Sequence, residues 1–268
     1  MNRLGRLTSL IGASALLLAV AAPVSAADDA MVRVLHASPD APAVDVKVDG
    51  ANVLTNVPFK TISDYLMVPG GTYNIKVCAT GTDTCVIDAN LTFEAGTKYT
   101  VAATNVLASI TAQVITDEPT PTADKTQARV VHFSADTPAV DVLTQDGSAK
   151  VVENLAYPNA TGYLTLDPGS YDLKVCATAD NTVCPLDPPA LDLAAGTAYS
   201  VFAVGSLQGQ TLDAVVAVDG VAAPATDTVA LSEAGSSGVS LAALAALGLF
   251  GITALAMVFR LSSRRVEK

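Results

Sequence analysis

From residue 30 to residue 218 apolar and polar residues alternate in short runs with a period of two. That period places successive side chains on opposite faces of β-strands. Val32, Val34 and His36 fall on one face of a first strand, and Val44, Val46 and Val48 on one face of a second. Asp49-Gly50 then supplies the chemistry of a two-residue hairpin turn. Tyr65 and Met67 alternate up to the break at Pro69-Gly70-Gly71, and Tyr73, Ile75 and Val77 share the next face. "LTFEAG", "KYTVAAT" and "ASITAQVIT" continue the series, with no ten-residue amphipathic helix among them. Seven or so short strands at this spacing predict an all-β, antiparallel sandwich of immunoglobulin-like or transthyretin-like kind.

The pattern is written twice. "RVLHASPDAPAVDV" (33–46) returns as "RVVHFSADTPAVDV" (129–142), and "EAGTKYTVAATN" (94–105) as "AAGTAYSVFAVG" (194–205). The offset grows from 96 to about 100 residues, so insertions fall in turns. Two tandem sandwiches are therefore expected, over residues 27–115 and 128–218. "TDEPTPTADKTQ" (116–127) reads as an exposed linker, and residues 219–238 as a stalk.

The ends of the chain depart from the two-residue period. Residues 1–26 combine Arg3 and Arg6, the apolar run "LIGASALLLAVAA" and the small residues Val24-Ser25-Ala26, the features of a cleaved signal peptide. Residues 239–259 hold no charge and are long enough to span a hydrocarbon core of about 30 Å, so a C-terminal transmembrane helix is expected there. Arg260, Arg264, Arg265 and Lys268 follow it, and a basic tail (260–268) stays in the cytoplasm, which makes the chain a single-pass type I protein with its repeats outside. "LSEAG" (231–235) lies where a sortase signal would, but Ser232 and Ala234 depart from that pattern and favour a plain membrane anchor over wall attachment.

Charge narrows the range of partners. Residues 27–238 carry nine basic and twenty-five acidic side chains. So negative a surface repels nucleic acid and leaves divalent cations as the loose partners it permits.

Cysteines follow the repeat. Cys78 and Cys85 bracket one turn and Cys176 and Cys184 another, so disulfides Cys78–Cys85 and Cys176–Cys184 are expected in an oxidising compartment. Zinc would need all four thiols together, and nearly a hundred residues separate the two pairs.

The phrase "HASPDAPAVDVKVDG", with the "PGTY"-like and "AGTxYT"-like strand starts, resembles the bacterial and archaeal extracellular family known as domain of unknown function 4397. The resemblance covers residues 31–115 and 128–218, and the second copy departs from it at Phe133, Ala135 and Thr137. It implies secreted or surface-anchored tandem modules and brings no activity with it.

His36, Asp40 and Asp45 recur as His132, Asp136 and Asp141 with the same spacing, which makes them the candidate site. Imidazole and carboxylates could hold a divalent cation. The alternative is structural: the histidine bonds the turn backbone, the first aspartate caps the turn, and the second lies on the solvent face of the next strand. The structural role is the favoured one, with no cofactor expected beyond that cation. No GxSxG, HExxH or phosphate-binding glycine loop is present, and no catalytic residues are assigned. The reading is a membrane-anchored extracellular structural, adhesive or protein-interaction module, not an enzyme, with a cell-envelope or extracellular protein as its partner. A receptor for metal or carbohydrate, using the repeated turn, is the alternative.

Overall fold

The computed structural model describes residues 28–223. The signal-peptide, sortase and transmembrane readings, and most of the stalk, lie outside these residues. Among the described residues no helix is long and apolar enough to cross a membrane.

The described chain is all-β. The first repeat contains β1 (Ala30–His36), β2 (Val44–Val48), β3 (Ala51–Val57), β4 (Leu66–Val68), β5 (Gly71–Ala79), β6 (Cys85–Phe93), β7 (Lys98–Thr104) and β8 (Thr111–Thr116). One sheet has the order β4-β1-β7-β8 and the other β3-β2-β5-β6. The predicted hairpin is present: Asp49 and Gly50 both take positive φ, 49° and 84°, and join β2 to β3. Only a primed turn does this without splaying the strands.

The second repeat contains β9 (Thr126–His132), β10 (Val140–Thr144), β11 (Lys150–Leu155), β12 (Leu164–Leu166), β13 (Gly169–Tyr171), β14 (Leu173–Ala177), β15 (Leu191–Leu193), β16 (Thr197–Val204) and β17 (Asp213–Val221). Its first sheet, β12-β9-β16-β17, copies that of the first repeat. Its second does not: β11-β10-β14 forms one piece and β13-β15 another. The cause is local. Where β6 continues as "VIDANL", the second copy reads "PLDPPA", and prolines cannot donate to a ladder.

Among the described residues, pairing is antiparallel except between β1 and β7 and between β9 and β16, which run parallel. This corrects the expectation of purely antiparallel sheets. The chain leaves β1, builds the whole of the other sheet together with β4, and returns to β7 from the same end, as a parallel pair requires. Alternation reports which face a residue occupies, not which strand lies beside it.

Val32, Val34, Val46, Ile75, Phe93 and Val101 form a buried apolar cluster between the two sheets of the first repeat. Period-two geometry sends the other β1 side chains, Arg33 and Leu35, to the opposite face of their sheet. That face is covered too. Leu35, Ala37 and Ala102 join Val131, Phe133, Phe202 and Val204 of the second repeat in one buried cluster. The described residues, 28–223, accordingly form one compact unit, with the repeats packed through their first sheets. In that cluster the first repeat offers Ala37 and Ala102 where the second offers Phe133 and Phe202, stacked at 5.9 Å between ring centroids. Large residues on one side meet small ones on the other.

Two expected boundaries shift. Within 116–127, Thr116 ends β8, Thr126 and Gln127 belong to β9, and Asp117 is buried. Asp219, expected to start the stalk, lies within β17 and is buried as well. Composition marked both as solvent-facing, but contacts with the other repeat hold them inside.

Candidate functional site

The repeated corner follows β1 in one copy and β9 in the other. His36 is fully buried, its Nε2 3.0 Å from the Pro42 carbonyl oxygen. The Ser38 amide lies 3.4 Å from its Nδ1. His132 repeats these contacts with Pro138 and Ser134, at 3.2 and 3.3 Å. Burial pushes both imidazoles below their ordinary pKa, against the opposing pull of the hydrogen bonds to the backbone at Pro42 and at Pro138. Ser134 Oγ bonds Thr137, Asp136 and the Gly205 carbonyl, whereas the equivalent Ser38 Oγ is buried without a partner.

Asp40 accepts the Leu107 amide at 2.6 Å, tying the corner to a short 3₁₀ turn at Leu107–Ser109. Asp136 does more: it accepts the Ser206 hydroxyl and the Leu207 and Gln208 amides. Burial opposes ionisation of Asp136, but those hydrogen bonds keep its pKa below the usual carboxylate value.

Asp45 does not lie on a solvent face, as the sequence suggested; it is buried. Its carboxylate accepts the amides of Asn56 and Gly81 and the Thr80 hydroxyl, at 2.8 to 3.1 Å. Asn56 has φ 53° at a register shift between β2 and β3, so Asp45 plugs a bulge and clamps the next turn to it. Asp141 does the same with Asn154, Thr178 and Asn181, and adds Lys150 at 2.7 Å. The Asn56 amide bond is the largest influence lowering the Asp45 pKa, and the Asn154 amide that on Asp141. Among the described residues no three histidine, cysteine, aspartate or glutamate side chains gather in a metal-binding group. The repeated motif thus places His36, Asp40 and Asp45 at three separate joints of one corner.

A second constellation escaped the sequence reading. Arg33 and Arg129 are the two arginines between residues 27 and 238, and both are buried. Arg33 Nη2 donates to Asp219 Oδ1 at 2.5 Å, and Nη1 to the Val218 carbonyl at 3.1 Å. Its Nε donates to Thr100 Oγ1 at 2.8 Å, and its guanidinium lies 4.7 Å from the Tyr65 ring centroid. Arg129 mirrors this with Asp117, the Thr116 carbonyl, Ser200 Oγ and the Tyr163 ring.

Each aspartate also accepts two hydroxyls from its own repeat. Tyr65 and Thr100 donate to Asp117, each at 2.6 Å; Tyr163 and Ser200 donate to Asp219 at 2.6 and 2.5 Å. Arg33 and Arg129 therefore each reach into the other repeat, and Asp117 and Asp219 are each held in place by their own. Both carboxylates are fully inaccessible. Burial, with the neighbouring carboxylates, raises the pKa of Tyr65 and Tyr163 far above the ordinary value. The signal was present in the sequence: the four pairs recur at offsets of 96, 98, 100 and 102 residues.

Both expected disulfides form, Cys78–Cys85 and Cys176–Cys184. They are compatible with an extracellular or periplasmic location.

Fold and contacts together define a two-repeat, disulfide-bonded β-protein of sandwich-like build, with its halves joined through a buried polar network. The chain belongs to the family described as domain of unknown function (DUF4397), whose model matches residues 30–143 and 143–233. The first match runs past the connecting segment into β10. A comparison with curated proteins returns no match. Among solved structures, the chain is similar to the C-terminal domain of AlgF from P. aeruginosa, with 23% identity over 35% of this chain and 98% of that one and a TM-score of 0.29.

Proposed function

We propose that this chain is an extracellular, non-catalytic interaction module, anchored to the membrane by residues 239–259, whose two repeats act as a single block. Their partner is a protein of the cell envelope or the extracellular space. One observation supports the reading above others: the reciprocal Arg33–Asp219 and Arg129–Asp117 pairs bury four charges between the repeats. Independent modules on a flexible tether would gain nothing from such contacts, whereas a surface that must present loops of both repeats in fixed register would. The repeated His/Asp corner, with its hydrogen bonds directed inward, serves that rigidity. Each sandwich is of immunoglobulin-like or transthyretin-like kind, and its loops are the contact elements.

The test is made on intact cells producing the full chain with a photoreactive amino acid at exposed Val183, on the turn beside Cys184. The reading expects a discrete covalent adduct with an envelope protein and digestion of the repeats by protease added outside. Protection from that protease, or the absence of any adduct, would overturn it.

A further inference from the structure

An apolar space lies between the two sheets of the first repeat, on the side where edge strands β3 and β4 belong to different sheets and do not pair. It measures about 340 Å³, and its walls include Val34, Val46, Leu66, Ile75, Phe93 and Val101. Its rim includes Met67 and Val53, 75% and 42% exposed. All of its twelve lining residues are apolar except Tyr73, whose hydroxyl is already bonded to the Pro69 carbonyl at 2.7 Å. Water needs polar partners and finds none there. Protein interiors seldom keep a void of this size, which instead lies at the lower end of the range for ligand sites.

We propose that this space binds an unbranched aliphatic chain, lying between the sheets with its uncharged polar end at the rim beside Met67. Three features select that chemistry. The walls offer no free donor or acceptor at depth, so polar and aromatic heterocyclic ligands would lose their hydrogen bonds on entry. Sheets packed about 10 Å apart leave a slot one chain thick. The strongly acidic surface disfavours an anionic head group. With a methylene occupying roughly the volume of a water, ~30 Å³, the site takes about eleven carbons.

The second repeat supplies an internal control. Its matching space is about 140 Å³, with Thr144 and Leu193 in the places of Val48 and Phe93, and Thr165 where the first repeat has Met67 at the rim.

The experiment uses the full chain held in amphipol and a diazirine-bearing dodecanol, with labelled peptides located by mass spectrometry. Labelling is expected on the β2–β3 and β4–β5 peptides of the first repeat. Competition by straight-chain alcohols should strengthen ~4-fold per methylene and level off near twelve carbons. Val34→Phe, which fills the space, should reduce labelling at least ~10-fold by excluding several methylenes. Met67→Asp, at the exposed rim where folding is not at stake, should reduce it as well. Equal labelling of both repeats, labelling confined to residues 239–259, or competition that rises without a plateau would each overturn the proposal.

Discussion

Replacing Asp219 with alanine tests the network most severely. The carboxylate is the partner of Arg33 and accepts the Tyr163 and Ser200 hydroxyls. Its removal leaves a guanidinium with 2% exposure facing an apolar side chain. Breaking a buried pair from one side costs about 3–5 kcal/mol, because the remaining charge is uncompensated. Two hydroxyls losing their acceptor add about 1 kcal/mol each. Asp117 Oδ2, 3.4 Å from Arg33 Nη2, offsets part of this, so we expect a net loss of about 5 kcal/mol. With a urea slope of about 2.5 kcal/mol/M, the midpoint falls by ~2 M. Tyrosine fluorescence follows the transition, since the chain has no tryptophan. Asp117→Ala should cost a similar amount by symmetry. Arg33→Met combined with Asp219→Leu should cost less than the two single changes added together, by ~2 kcal/mol of coupling. A loss below about 1 kcal/mol for Asp219→Ala, or strict additivity in the cycle, would refute the reasoning.

Three further outcomes follow from the same contacts. Because Tyr65 and Tyr163 have raised pKa values, their phenolate absorbance should appear only with unfolding when the pH is taken above 10; ionisation of all seven tyrosines in the folded protein would contradict this. Phe202→Ala should cost about 3–5 kcal/mol by emptying the shared core, and Ala102→Phe in the same molecule should return part of it; a second change that only destabilises would show that the large and small residues do not complement each other. The two buried histidines, with lowered pKa values, take up protons in the unfolded chain first, so stability should be level above their ordinary value of 6.5 and decline as the pH drops below it. A second decline should follow below the ordinary aspartate value of 3.8, where Asp45, Asp136 and Asp141 are protonated on unfolding. Chemical denaturation from pH 8 to pH 3 tests both, and a stability that rises on acidification would contradict them.

Local features of this fold were legible in the sequence. Asp49-Gly50 names its own turn, the cysteine spacing names its own bridges, and alternation around Val32, Val34, Val44 and Val46 names the inter-sheet faces. What escaped was partner identity. Asp45 looks like a solvent-facing strand residue until the bulge at Asn56 is known, and nothing in the period-two pattern marks a bulge. Arg33 opens the repeated phrase, yet its partner Asp219 lies 186 residues away in a segment that composition assigns to a stalk. A charge in mid-strand between two valines is the clue: it requires either solvent or a buried counter-charge, and the shared core removes the solvent. The parallel pairing of β1 with β7 was hidden for the related reason that periodicity carries no information about neighbours.

Scanning calorimetry of the full chain addresses the joining of the repeats most directly. If the crosswise pairs and the shared core make them one cooperative unit, residues 28–223 melt in one transition whose calorimetric and van't Hoff enthalpies agree, at roughly 140 kcal/mol. Two transitions, each with about half that enthalpy, would mean that the repeats unfold independently and that the network does not bind them together.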